Sequence, residues 1–367
     1  MSIKGYELIK AMEEYAPPYL AVENDRIGLQ VGDPNASVEK VLVTLDITEA
    51  VIDEAIQQSA NWIIAHHAMI FHPLKEIRTD TAAGRILKKC LANDLNLYIA
   101  HTNLDITPNG VNDVLAERLG LKKLQPLFLE HVERLKKFVV FIPKTHVEQV
   151  QEAVGKAGAG WIGNYSDCTF QVSGVGTFRP RDGANPYIGK RGELEQVEEV
   201  RLETIIQEDI QDRVIKAMLH AHPYEEVAYD LYPLEQEGRT YGLGRIGELP
   251  TEIELGQLIE QVKQAYQLEK VRFVGDSQSW VRKVAILGGS GARYWKRVKQ
   301  RRADVYITGD IDFHTAQDAL AEGLHLIDPG HHIEHFVVQA VCNQLAKQVK
   351  EVEIIPSAVN TNPFQYA

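Results

Sequence analysis

The sequence predicts an α/β protein made of two like segments and interrupted by an inserted α+β domain. Three observations predict it. Residues 1–130 alternate short apolar runs with amphipathic stretches, the grammar of parallel strands joined by helical crossovers. The same grammar returns over residues 246–367. Between them, residues 131–245 follow the order βαββαβ, which is that of a ferredoxin-like unit.

In the first segment KVLVTLD (40–46) reads as a buried strand. ITEAVIDEAIQQSA (47–60) follows as a helix, with Ile47, Val51, Ile52, Ala55 and Ile56 at helical spacing. WIIAHH (62–67) is the next strand, TAAGRILKKCLANDL (81–95) a helix, LYIAH (97–101) a strand and NDVLAERLGL (112–121) a helix with Gly120 as its C-terminal stop. The middle gives KKFVVFIP (136–143) as strand and HVEQVQEAVGKAG (146–158) as helix. CTFQVSGVGTFRP (168–180) and VEEVRLETIIQ (197–207) are strands, EDIQDRVIKAMLHAHP (208–223) is a helix and VAYDLYPL (227–234) a strand. Pro126 and Glu237-Gly238 mark its turn-rich bounds. The last segment gives ELGQLIEQVKQAYQL as helix, VRKVAILGGSG as strand and turn, and ARYWKRVKQRRA as helix. VYITG, HTAQDALAEG, HLID and EHFVVQAVCNQLAKQV continue as strand, helix, strand, helix.

The chain has 367 residues, enough for two domains or one domain with an insertion, and its 44% hydrophobic and 25% charged content is that of an ordinary globular protein. A formal net charge of −12 disfavours a nucleic-acid partner, which favours a basic face. Cys90, Cys168 and Cys342 are far apart and form no CxxC pair, so a reducing compartment is expected rather than a disulfide framework. The N-terminus lacks a secretory pattern, and no apolar run nears the roughly 18 residues of a spanning helix. The expected location is cytoplasmic, with no membrane partner.

Chemistry concentrates where the apolar runs end. His66 and His67 follow Ile63-Ile64, His101 and Asp105 follow Leu97–Ile99, Asp310 and His314 follow Val305–Ile307, and His331 and Glu334 follow Leu326-Ile327. Open α/β sheets bind ligands outside the carboxyl ends of their strands, so these groups are expected to converge. Imidazole and carboxylate donors without thiolate suit zinc first, with manganese, iron and cobalt as the other candidates. Adjacent histidines diverge on extended backbone, which favours two divalent ions over one. His331 and Glu334, three apart, share a face if a helix starts there, and the glutamate can bridge. The metal set is therefore His66, His67, Asp105, His331 and Glu334. His101, His314 and Asp310 are expected to move protons or to orient ligands. Asp46 is expected to cap the following helix or to serve as an acid in the cleft, and Asp310 or Asp312 to cap the HTAQDALAEG helix. LGGSGARYW (287–295) is a glycine turn too weak to mark a phosphate loop. Glu225, Glu226, His220 and His222 more simply reflect packing and turn chemistry.

These residues resemble the NIF3-like family of dinuclear-metal proteins, often described as GTP cyclohydrolase 1 type 2 homologs. VENDRIGLQVGDP (22–34), IIAHHAMIFHPLK (63–75), AHTNLD (100–105), YITGDIDFHTAQDA (306–319) and DPGHHIEH (328–335) carry the resemblance, which covers nearly the whole chain. Val22 stands where the family usually has tryptophan, and Ala68 where proline follows the two histidines. The resemblance implies the same five metal ligands and a middle segment similar to PII and CutA-type domains. It also implies a homohexamer and metal-dependent hydrolysis of a small molecule such as the nucleotide GTP. A non-enzymatic metal-handling or regulatory protein that senses an effector or partner through the middle domain is the alternative.

Overall fold

The computed structural model describes residues 3–365. In chain order the strands are β1 (Gly28–Val31), β2 (Lys40–Thr44), β3 (Trp62–Ala65), β4 (Asn96–Ile99), β5 (Lys122–Pro143), β6 (Thr169–Phe178), β7 (Glu195–Gln207), β8 (Tyr229–Glu254), β9 (Arg272–Val274), β10 (Trp280–Ile286), β11 (Val305–Ile307), β12 (His325–Asp328) and β13 (Glu353–Pro356). The chain divides into two compact units, Met1–His131 with Tyr241–Ala367, and Val132–Thr240.

The first unit is a mixed α/β fold. One sheet has the order β1-β4-β3-β2-β13. Its four strands from β4 to β13 run parallel, and β1 closes the edge antiparallel to β4. β3 and β4 are buried along their whole length, and β2 in all but its first residue. That is why they read as continuous apolar runs rather than as alternation. The second run of parallel strands is β10, β11 and β12, flanked by antiparallel β8 and β9. A core that includes Trp62, Ile64, Tyr98, Ile286, Ile307 and Ile327 draws on both sets. Thr48 and Thr81 cap the helices Glu49–Gln57 and Ala82–Ala92 through their side-chain oxygens. Gly120, at φ 75°, follows the helix Val111–Arg118 as the left-handed stop that the sequence suggests.

The second unit has strand order β6-β7-β5-β8, with the helices Val147–Lys156 and Gln211–Ala221 packed on one face over Phe138, Val140, Ile142, Leu202 and Ile206. β5 and β8 run far past the expected strands 136–143 and 227–234, through Pro126 and through Gly238. Gly238 is no turn. A Cβ there would lie 2.8 Å from the Cβ of Glu133, so the glycine admits a neighbouring strand. At Gly242 the same substitution would meet the Phe128 carbonyl at 2.0 Å.

Two further elements differ from expectation. ARYWKRVKQRRA forms a 3₁₀ turn, Ala292–Tyr294, before the short helix Trp295–Gln300. The last helix spans Val337–Gln348, and the residues before it, His331–Phe336, form a 3₁₀ turn.

Candidate metal centre

The site is assembled from strand ends of the first unit. β3 delivers His66 and His67, and β4 delivers Ala100 and His101. Asp105 lies in the short helix Thr102–Ile106 that follows. β12 delivers the 3₁₀ turn that carries His331 and Glu334, with Gly330 before it at φ 85°. In a 3₁₀ turn residues i and i+3 eclipse one another, so His331 Nε2 lies 3.1 Å from Glu334 Oε2. The shared face expected of an α-helical start is supplied by this tighter turn.

His66 and His67 do not diverge. The chain leaves β3 at Ala65 and bends, and the two rings lie 4.9 Å apart between centroids. His67 Nε2 lies 3.1 Å and His66 Nε2 3.8 Å from Glu334 Oε2, and His66 Nε2 is 3.6 Å from Asp105 Oδ1. Three overlapping groups of donor atoms result: His66, His67 and His101; His67, His331 and Glu334; His66, Asp105 and Glu334. The five residues expected as ligands are thus brought together, and His101, expected as a proton carrier, joins them.

Each histidine is held from behind. His66 Nδ1–H donates to the Ala100 carbonyl at 2.9 Å. The Nδ1–H groups of His67, His101 and His331 donate to Asp46 (2.6 Å), Asp25 (2.8 Å) and Asp310 (2.7 Å). Metal-binding imidazoles commonly donate their second ring N–H to a carboxylate or carbonyl, which fixes tautomer and ring orientation. Asp46 does not cap the following helix, since Thr48 does. It also accepts a hydrogen bond from Thr361 Oγ1 at 2.5 Å. Asp25 was not singled out in the sequence, although it lies within VENDRIGLQVGDP. The acid pattern around it gives no spacing cue, because its partner is 76 residues away. Asp310 adopts φ 56°, a left-handed conformation uncommon outside glycine, next to the histidine it orients. Asp312 caps the helix Phe313–Ala321. His314 is exposed at the start of that helix and belongs to none of the donor groups among the described residues. His332 stacks on His335 at 4.8 Å. His222 donates from Nε2 to the Phe141 carbonyl and accepts the Tyr224 N–H at Nδ1, a packing role.

The electrostatics split the cluster into neutral and charged members. Burial pushes His66 down to about 3, so its ring is neutral. For His67 burial opposes the cation, but hydrogen bonds to Asp46 and Glu334 prevail and hold it up to about 10. His331 is raised to about 9, first by its hydrogen bond to Glu334. Burial raises Glu334, yet His331 and His67 together hold it well below the usual carboxylate range. Burial and the nearby Glu334 charge push Asp105 the other way, upward.

The donor set fits divalent cations. His66 Nε2 and Asp105 Oδ1 are buried polar atoms with no hydrogen-bond partner, and both point into the cluster. Such orphans are rare in folded proteins unless an ion or water completes them. Gly289, at φ 61°, keeps the space beside Glu334 and His331 open: a Cβ there would lie 2.6 Å from Glu334 Oε1 and 3.1 Å from His331 Nε2. The glycine turn of LGGSG therefore serves the cluster.

The model of the family Duf34/NIF3 (NGG1p interacting factor 3) matches residues 3–363. The chain belongs to this family. A GTP cyclohydrolase 1 type 2 homolog of Halalkalibacterium halodurans is 50% identical over 366 residues, 99% of this chain and 98% of that protein. The homolog of Bacillus subtilis is 48% identical over 369 residues, 100% of this chain and 99% of that protein. Among solved structures, a Bacillus cereus protein related to NIF3 superimposes with TM-score 0.93 at 51% identity over 100% of both chains. A Staphylococcus aureus protein does so with TM-score 0.77 at 31% identity, over 100% of this chain and 99% of its own. Among the described residues of this NIF3-family chain, no helix is long and apolar enough to cross a membrane.

Proposed function

We propose that this protein is a dinuclear metal enzyme that hydrolyses a small molecule. One observation carries the reading: four imidazoles and two carboxylates converge, each imidazole fixed from behind, with orphaned buried donors at the centre. His66, His67, His101, Asp105, His331 and Glu334 would hold the ions. Two ions are favoured because the three donor groups overlap through His66, His67 and Glu334. The all-nitrogen-and-oxygen set favours zinc, with manganese, iron and cobalt also suited. Divalent ions at such a site supply activation of water near neutral pH and polarisation of a substrate oxygen.

The chain's own residues do the rest. Asp46, Asp25 and Asp310 keep Nδ1 protonated, which turns Nε2 toward the cleft. Gly288 and Gly289 leave room for a reacting group beside Glu334. His101 is assigned to the donor set, and His314 stays a candidate for proton transfer only if substrate extends to its helix. A nucleotide substrate such as GTP is supported by the names of the relatives, and a homohexamer by resemblance. The exposed Phe71, Leu74 and Ile77 following the histidine pair suit burial between subunits. The strand order of Val132–Thr240 supports a ferredoxin-like, PII- or CutA-type insertion. An aromatic cavity in that unit favours a second reading, a metal-dependent regulator without turnover.

The test is a screen of metal-loaded protein against nucleoside triphosphates and phosphate monoesters, beside Glu334→Ala. The enzyme reading expects turnover that the variant abolishes. Turnover unchanged in Glu334→Ala would refute it, and metal binding without turnover on any substrate would favour the regulator.

A further inference from the structure

The second unit contains a cavity of about 870 Å³, lined only by residues of that unit. That volume lies in the range of small-molecule sites. One wall is aromatic: the Phe178 and Tyr224 rings are 5.9 Å apart, and the Tyr187 and Tyr224 rings 6.3 Å apart. Glu199, on β7, lines the same cavity and is only 9% exposed. Its Oε1 accepts the Tyr224 hydroxyl at 3.0 Å. Among the described residues Glu199 forms no ion pair.

This arrangement is built rather than incidental. The partner strand gives up a side chain to seat the carboxylate: a Cβ at Gly176 would lie 2.0 Å from Glu199 Oε2. A buried carboxylate without a countercharge lowers stability unless something compensates it. Arg179 and Arg181 line the same cavity, as do Asp182, Glu225 and Glu226, so its wall carries both signs of charge. The loop that carries them is pinned by Arg179 Nη1 donating to the Gly192 carbonyl at 2.6 Å and by the Gly192 N–H donating to the Pro180 carbonyl.

We propose that this cavity binds a small molecule with a planar pair of N–H donors at one end and an anionic group at the other. The donor pair meets the Glu199 carboxylate, the plane stacks on the aromatic wall, and the anion meets Arg179 and Arg181. A carboxylate accepts paired N–H donors bidentately, and planar nitrogen groups stack on aromatic rings. A simple organic cation would satisfy Glu199 and leave the arginine side of the cavity unused. A simple anion would satisfy the arginines and leave Glu199 alone. Two ligand sources share the required chemistry: a guanine nucleotide and free arginine. The inference is independent of hydrolysis at the metal cluster.

Calorimetric titration of the full chain with guanosine monophosphate, inosine monophosphate, adenosine monophosphate, arginine and agmatine tests it. Glu334→Ala removes any phosphate binding at the metal cluster and serves as the background for every titration. Binding by guanosine monophosphate is expected to exceed that by the inosine and adenosine nucleotides if the source is a nucleotide. Binding by arginine is expected to exceed that by agmatine, which lacks the anion, if it is not. Glu199→Gln should weaken the bound ligand by about 10- to 100-fold, the cost of a lost charge-assisted pair. Tyr187→Ala, at a residue 55% exposed and so tolerant of truncation, should weaken it as well. No binding by either guanine nucleotide or arginine at millimolar concentration, or binding that both variants leave unchanged, would overturn the proposal.

Discussion

Two buried glutamates show how differently one side chain is used in this molecule. The Glu334 side chain, 3% exposed, has His67 and His331 nitrogens at 3.1 Å and His66 at 3.8 Å. Glu199, 9% exposed, has a tyrosine hydroxyl. The first carboxylate is surrounded by groups that titrate and could hold a metal ion, and each of those imidazoles is braced by a further acceptor. The second faces an open cavity with only a neutral donor. Protons or cations can compensate Glu334 in place; Glu199 depends on whatever enters. The difference teaches that burial of an acid is not itself a functional signal, and that the bracing around it says which ligand it awaits.

The largest effect expected is on metal content. After extensive dialysis, elemental analysis should find divalent metal in the parent protein and background levels in Glu334→Ala, while Glu199→Gln keeps the parental content. Equal loss in both variants would erase the distinction. Smaller, but still large, is the effect of the bracing acids. Asp46→Asn and Asp25→Asn leave every donor atom in place and should weaken metal affinity by roughly 10- to 100-fold. His314→Ala, exposed and outside the donor groups, should leave affinity unchanged. Competition against a chromogenic chelator measures all three.

The subtlest effect is on protons. In the metal-free protein His67 and His331 are raised to about 10 and about 9, and so are protonated near neutral pH, and Asp105 is pushed toward its protonated form. Metal ligation requires neutral imidazole and ionised carboxylate. Binding near neutral pH should therefore release protons, and affinity should fall as pH is lowered from about 8 to about 6. Calorimetry in buffers of different ionisation enthalpy reads the number released. Zero release would mean that the cluster is already deprotonated, contrary to the hydrogen bonds that hold His67 and His331.

Much of this was legible in the sequence because it rests on local pattern. The apolar runs of β2, β3 and β4 are buried on both faces, and their ends are marked by residues that no core accepts unaided. The residues that cluster at the strand ends were legible for the same reason. What resisted reading was non-local. Asp25 and Asp46 matter through histidines 76 and 21 positions away. The 3₁₀ turn at His331 and the bend after Ala65 come from packing at strand ends rather than from propensity. Pro126 and Gly238 look like boundaries, yet both lie within strands, because a paired strand supplies the hydrogen bonds and the close approach that a lone segment lacks.

The central claim is that His66, His67, His101, Asp105, His331 and Glu334 enclose divalent cations. Anomalous diffraction at transition-metal edges, on crystals grown without chelator, tests it most directly. The account predicts two anomalous peaks within ligand distance of these side chains, with Glu334 touching both. Crystals of metal-replete protein with no peak there, or with metal bound only elsewhere, would contradict it.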